Sequence, residues 1–271
     1  MSYRNLLFAI CLLISSTLIR AQQDAASLPK TVSWMFGYGN ATTLETYLSP
    51  YKYSGTDYQL IGDVSRLSRG GKLFTQHTLN LEYAKSTDIS GRGLYYLGML
   101  DYSYGRHYGV LQNENWKWLV GGAADLYGGA IYNIRNSNNP VQVKAVINLH
   151  IASRAEYSFK IKSFPINVVY QLRMPVLGVG FAPDYGASYY EMFQLNNTSG
   201  IIHIMSLHNQ WAMQNLLTVE LPLSSKTLRI GYSYNIYQTR INSLETSLIS
   251  NGFLIGYSGD ILSLDRRKKR E

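Results

Sequence analysis

The chain has 271 residues, a formal net charge of +8, 23 Tyr, one Cys and only 15% charged residues, against about 25% in an ordinary soluble domain. This composition is too apolar and aromatic for a disordered chain. It is too poor in Cys for a disulfide scaffold or a Cys-rich zinc protein. The positive balance invites a nucleic-acid reading, and the placement of the charge removes it. Arg4 and Arg20 fall in an N-terminal leader, and Asp265–Glu271 hold five positive and two negative charges. The Lys and Arg of the body are scattered, without the basic and stacking-aromatic spacing of RNA or DNA binders.

Residues 1–21 read as a cleaved signal peptide: Arg4, then a mostly apolar run from Leu6 to Ile19, then Ala21 before the cut. Cys11 leaves with it, so the mature chain has no thiol. Residues 22–30 form a short N-terminal segment. From there the pattern is period two almost throughout. Val143, Ala145, Ile147, Leu149 and Ile151 alternate with Lys144, Asn148 and His150. Ile166, Val168, Tyr170, Leu172 and Met174 alternate with Asn167, Gln171 and Arg173. Leu228, Ile230, Tyr232, Tyr234 and Ile236 alternate with Arg229, Gly231, Ser233 and Asn235. On a strand these series fall on opposite faces.

About twelve such segments are expected: 31–39, 56–67, 73–86, 94–107, 115–133, 141–159, 164–180, 186–195, 200–208, 211–222, 226–241 and 247–259. Gly, Asn, Ser and Pro clusters separate them. Several are far longer than the strands of soluble sheets. Tyr and Trp gather near segment ends, as at membrane interfaces. These features predict an all-β fold, a single antiparallel up-and-down outer-membrane barrel over 31–259, followed by a basic tail at 260–271. The competing architecture is a soluble secreted ligand-binding barrel with its apolar face inward.

In the barrel reading the polar series lines the lumen. It gathers Asp63, Glu82, Asp101, Asp125, Glu156 and Glu220 with Lys117, Arg154, Arg173, Arg229 and His150. Nearly balanced signs suit cross-lumen pairing better than a one-sign selectivity ring. Arg154 and Glu156, two apart, share a face. For a barrel hydrolase a nucleophile needs a base beside it. The nearest pairs considered, His150 with Ser153 and His203 with Ser206, are three apart and so face opposite ways on a regular strand. No nucleophile elbow, zinc motif or phosphate loop occurs. No catalytic residue, metal or cofactor is expected.

Residues 173–195 stand apart. Pro175 and Pro183 interrupt ladder pairing, and Gly178, Gly180 and Gly186 permit a bend. Tyr185, Tyr189, Tyr190 and Glu191 form a polar-aromatic cluster, read either as a gate touching a ligand or as interfacial anchors on a kinked hairpin. The Asn138-Asn139-Pro140 turn, the Pro175-x-x-Gly178 bend, the stretch from Pro183 to Glu191 and Tyr47-Leu48-Ser49-Pro50 resemble a Bacteroidota-type family of unknown function. The resemblance spans about residues 31–258. It implies a secreted outer-membrane barrel and brings no activity, ligand or catalytic residue.

The expectation is therefore a non-enzymatic outer-membrane barrel, either a narrow conduit or a structural, surface-exposed protein. The candidate ligand-binding residues are Tyr185, Tyr189, Tyr190, Glu191, Arg154, Glu156 and Arg173. The expected partners are outer-membrane lipid and the barrel-assembly machinery. An outer-membrane lipid hydrolase is the alternative from another class.

Overall fold

A computed structural model describes residues 30–260 except 69–70, 138, 187–188 and 196–198. The leader, residues 22–29, the basic tail beyond Asp260 and Asn138 of the Asn-Asn-Pro turn lie outside the described residues. The strands are β1 (Thr31–Glu45), β2 (Ser49–Leu67), β3 (Leu73–Asp88), β4 (Leu94–Gln112), β5 (Trp116–Asn133), β6 (Val141–Ile161), β7 (Phe164–Phe181), β8 (Ile202–Ser206), β9 (Gln210–Pro222), β10 (Thr227–Ile241) and β11 (Leu244–Asp260). One short helix, α1 (Tyr189–Phe193), lies between β7 and β8.

Every strand runs antiparallel to its neighbours, and β1 pairs with β11 from Thr31↔Asp260 to Glu45↔Thr246. That pairing closes the sheet into a ring. β7 pairs with β9 over Asn167–Arg173 and with β8 over Leu177–Phe181. β8 therefore continues the line of β9, and the wall has ten positions rather than twelve. Closure leaves no long sheet edge with unpaired N–H and C=O groups.

The segment expected as a strand at 186–195 is the correction. After Phe181 the chain leaves the ladder, turns at Gly186 (φ 85°) and forms α1. Pro183 has no N–H to give a ladder, so pairing ends there. The bend expected at Pro175 is present: Pro175 pairs with His150 and Leu177 with Leu149, so Val176 is the extra residue of a bulge.

The strands of the ring run 13 to 21 residues. Their alternation sets two faces. Phe36, Leu60, Leu81, Leu100, Leu126, Ile147, Ile151, Val179, Leu217, Ile230 and Ile255 are exposed on the outside. Ser33, Asp57, Gln59, Gln76, Asp101, Ser103, Asp125, Asn148, Arg154, Thr218 and Arg229 are buried inside. Tyr232, Phe253, Tyr38, Tyr58 and Tyr83 lie directly opposite one another across β10, β11, β1, β2 and β3. Their rings form a ladder, with Tyr38 to Tyr58 at 5.6 Å and Tyr232 to Phe253 at 5.1 Å.

Both described chain ends, the end of β2 and the start of β3, and the connections 113–115, 162–163 and 223–226 lie at one end of the barrel, here the terminal end. The longest connection, between Phe181 and Ile202, starts and ends at the other, the loop end. The β10–β11 turn there is Asn242-Ser243, with φ of 53° and 60°, as a two-residue hairpin matching the strand twist demands.

Candidate functional site

The lumen is built in three levels. At the loop end it is filled by apolar side chains. The Tyr53 and Tyr95 rings stack at 3.6 Å, and Tyr127 lies 4.8 Å from Tyr237. Around them Leu97, Met99, Ile131, Val146, Met205, Ile241 and Leu248 are buried. Tyr47 and Leu48 from the β1–β2 turn and Met192 from α1 are buried with them at the mouth. Two polar ties hold this end shut. The Tyr189 hydroxyl accepts from the Val143 N–H at 2.7 Å and donates to Gln142 Oε1 at 3.2 Å. Lys144 Nζ lies 2.6 Å from Glu45 Oε2, reaching across the lumen from β6 to β1.

The middle level is polar and buried. Asp101 Oδ2 accepts from Gln214 Nε2 at 2.6 Å and from Arg173 Nη2 at 3.2 Å. Arg173 also donates to Ser103 Oγ. His150 Nε2 sits 2.7 Å from Asp125 Oδ2, though the ring is not aligned for a hydrogen bond. Gln59 donates to Asp57 Oδ2 at 2.7 Å and accepts from the Ser233 hydroxyl at 2.7 Å. Gln76 bridges Asp63 and Gln171.

The terminal level is hollow. A cavity of about 790 Å³ opens there, walled by Asp63, Phe74, Lys117, Arg154, Glu156, Asn167, Glu220 and Arg229 among others. Arg154 Nε donates to Glu156 Oε1 at 2.6 Å, and its guanidinium lies 4.8 Å from the centre of the Phe74 ring. Lys117 Nζ is 3.8 Å from Glu156 Oε2. Arg229 Nε lies 3.2 Å from Glu220 Oε1, and Glu220 Oε2 accepts from Asn167 Nδ2 at 2.9 Å. The charges are paired along the wall, and the space between them suits a ligand carrying both signs.

The seven candidate residues thus fall in three places. Arg154 and Glu156 share one network, as their spacing implies. Arg173 sits in the middle level with Asp101 and does not join them. Tyr189 closes the loop end, Tyr185 and Tyr190 are exposed there, and Glu191 belongs to α1. The structure therefore does not bring the seven into one site.

Two features escape the alternation argument. Glu45 and Asp57 face the lumen but lie where the pattern is diluted by Gly, Ser and Thr. Ser206 and His208 also escape. Ser206 Oγ is 2.5 Å from His208 Nδ1, because the chain makes a turn after β8, with Asn209 N–H donating to the Ser206 carbonyl. Ser206 and His208 are two apart, closer in sequence than His150 with Ser153 or His203 with Ser206, and their spacing alone marks them.

In class, the fold is a closed antiparallel barrel of the kind found in outer-membrane proteins. It is similar to the outer membrane protease OmpT from Escherichia coli, with a TM-score of 0.51 and 7% identity, over 88% of this chain and 99% of that chain. The translocator domain of autotransporter NalP from Neisseria meningitidis aligns with a TM-score of 0.42 and 8% identity, over 93% of this chain and 97% of that one. The β domain of the Bordetella autotransporter BrkA aligns with a TM-score of 0.44 and 13% identity, over 87% and 100%. No curated protein matches the chain. The chain belongs to a family described as a protein of unknown function (DUF3316), whose sequence model matches residues 5–268.

Proposed function

We propose that this chain is a closed, non-enzymatic barrel of the outer membrane, in a Gram-negative envelope of the Bacteroidota type, with a structural role. Its lipid contact is the outer band of exposed Leu, Ile, Val and aromatic side chains, a continuous apolar surface that a water-soluble monomer does not carry. The terminal end faces the periplasm, as the even wall count and short connections favour. Assembly machinery is then needed for insertion. A wash in high salt or carbonate leaves the protein in the membrane fraction, and release without detergent overturns the membrane reading.

The observation that separates a closed barrel from a conduit is the apolar plug of the loop-end lumen, with Tyr53 on Tyr95 at its centre. Large apolar side chains fill most of that level, and hydrophobic constrictions block ions by shedding water. Purified protein in planar bilayers is expected to show no conductance steps above the lipid baseline. Stable ohmic steps would restore the conduit. The vestibule at the terminal end is the place for a periplasmic ligand, with Arg154 and Glu156 as the groups it meets.

One observation favours a second reading, a lipid ester hydrolase. The Ser206–His208 contact lies on the outer wall, since Ser206 pairs with the exposed Leu177 and neighbours the exposed Ile204 and Leu207. A serine nucleophile also needs its base oriented by a third group. Among the described residues no carboxylate bonds His208. The purified barrel is accordingly expected to release no fatty acid from phospholipid above a protein-free control. Turnover that disappears in Ser206→Ala would establish the hydrolase instead.

A further inference from the structure

The middle level holds more carboxyl groups than basic side chains. Asp57, Glu82, Asp101 and Asp125 lie in one electrostatic neighbourhood. Arg173 answers Asp101, and His150 Nε2 lies 2.7 Å from Asp125. Among the described residues neither Asp57 nor Glu82 has a Lys, Arg or His at ion-pair distance. Asp57 is held by Gln59, and Glu82 by Ser250, both neutral groups. A buried carboxylate without compensating positive charge is costly, and the cost is relieved either by a bound proton or by a cation placed beside it.

The same level contains space and unused acceptors. A cavity of about 40 Å³ is lined by Asn80, Glu82, Asp101, Asn148, Gln210 and Gln214, with others. By this measure a water needs about 10–15 Å³, so about three or four small particles fit. Asn80 Oδ1, Asp101 Oδ1, Asn148 Oδ1 and Gln214 Oε1 have no hydrogen-bond partner, nor do the amide atoms of Gln210. Asp101 and Asn148 are each only 3% exposed and Gln210 2%. These groups are chiefly oxygen acceptors. No three His, Cys, Asp or Glu side chains among the described residues are disposed around a metal, so the donors are mixed carboxylate and amide oxygens. Such donors suit hard cations rather than thiolate- or imidazole-seeking metals.

The space also adjoins the cavities on its terminal side. The terminal vestibule shares Asp63 and Arg229 with a second cavity of about 60 Å³, and that one shares Asn80, Gln214 and Asn235 with the 40 Å³ space. The three follow one another through these shared wall residues, a half-channel that starts at the terminal mouth and stops beneath the apolar plug.

We propose that this half-channel delivers one small hard cation, alkali or alkaline-earth, to a site made by Glu82, Asp101 and the amide oxygens of Asn80 and Gln214. The ion neutralises the carboxylate excess and ties β3, β4 and β9 together inside the barrel. It stabilises the folded state by mass action, because the unfolded chain offers no such cage.

The test is thermal unfolding of the full chain in detergent at fixed ionic strength, in sodium, calcium or choline chloride. Choline is too large for the cavity. The melting temperature is expected to be about 5 °C higher in sodium or calcium chloride than in choline chloride, and the larger of the two shifts names the ion. Glu82→Gln is expected to abolish the difference, while Glu156→Gln, in the open vestibule, keeps it. Equal melting temperatures of the unmodified protein in all three salts overturn the proposal. A difference that survives Glu82→Gln, or vanishes in Glu156→Gln, overturns the placement of the site.

Discussion

Lys144→Met is expected to cost about 3–5 kcal/mol of unfolding free energy, the usual consequence of stranding one half of a buried ion pair. Lys144 Nζ reaches Glu45 Oε2 at 2.6 Å and donates to Thr246 Oγ1 at 2.7 Å. The Thr246 hydroxyl in turn donates to Glu45 Oε2 at 2.8 Å, and the Tyr47 N–H lies 3.3 Å from Glu45 Oε1. Both charged side chains are nearly inaccessible, at 8% and 1% exposure. Met keeps the length of the stem and removes the ammonium, leaving the Glu45 carboxylate buried in the loop-end lumen with only Thr246 and a backbone N–H. Chemical denaturation in detergent, followed by aromatic fluorescence, measures the loss. The double variant Lys144→Met with Glu45→Gln is expected to regain most of it, since no charge is then stranded. Lys117→Met gives the contrast. Its partner Glu156 is 3.8 Å away in the open vestibule, with both side chains 17% exposed, and the change is expected to cost less than about 1 kcal/mol. A Lys144→Met loss as small as that of Lys117→Met would mean that the cross-lumen tie does not hold the loop end.

The class of fold was legible because a barrel in lipid needs a strict alternation, and ten of the segments show it. Val143 to Phe159 assigns its faces without error: Val143, Ile147, Leu149 and Ile151 are outside, and Lys144, Asn148, His150 and Arg154 inside. The alternation fails where small residues dominate. Strand β1 was expected to end near residue 39 but continues to Glu45. Its last turn-side residues, Asn40 to Thr43, carry little hydropathy contrast. The count of strands was too high because Tyr-rich 186–195 reads as a strand by composition, whereas Pro183 and the left-handed Gly186 end the ladder before it. The Arg154–Glu156 pair was legible because spacing on one strand is local. The separation of Arg173 from it was not. That depends on the shear of the closed barrel, which carries Arg173 across the lumen to Asp101 rather than along the wall. The plug was hidden for the same reason. Tyr53, Leu97, Met99 and Ile131 sit in the inward series among polar residues, and only their gathering at one level makes an apolar core.

Gly39→Val is expected to prevent closure of the barrel, with a loss of at least about 3 kcal/mol and little or no heat-modifiable folded species on a cold gel. Gly39 lies opposite Gly252 where β1 meets β11, the pairing that completes the ring. A Cβ built there would lie 1.8 Å from the Asn251 carbonyl oxygen and 2.5 Å from the Gly252 Cα. Both are backbone atoms of the partner strand, so no side chain can rotate away to make room. The strands must separate, and separation leaves two long edges. In water such edges find other hydrogen-bond partners, but in hydrocarbon each lost N–H···O bond has no substitute. The damage therefore spreads along the seam rather than remaining at one position. Gly98→Ala is the control. A Cβ at Gly98 meets nothing within 4 Å, and its effect is expected to stay within about 0.5 kcal/mol. Normal folding of Gly39→Val would show that the β1–β11 approach is looser than the structure has it. Failure of Gly98→Ala as well would point to a general intolerance of the strands for lost glycine, not to the seam.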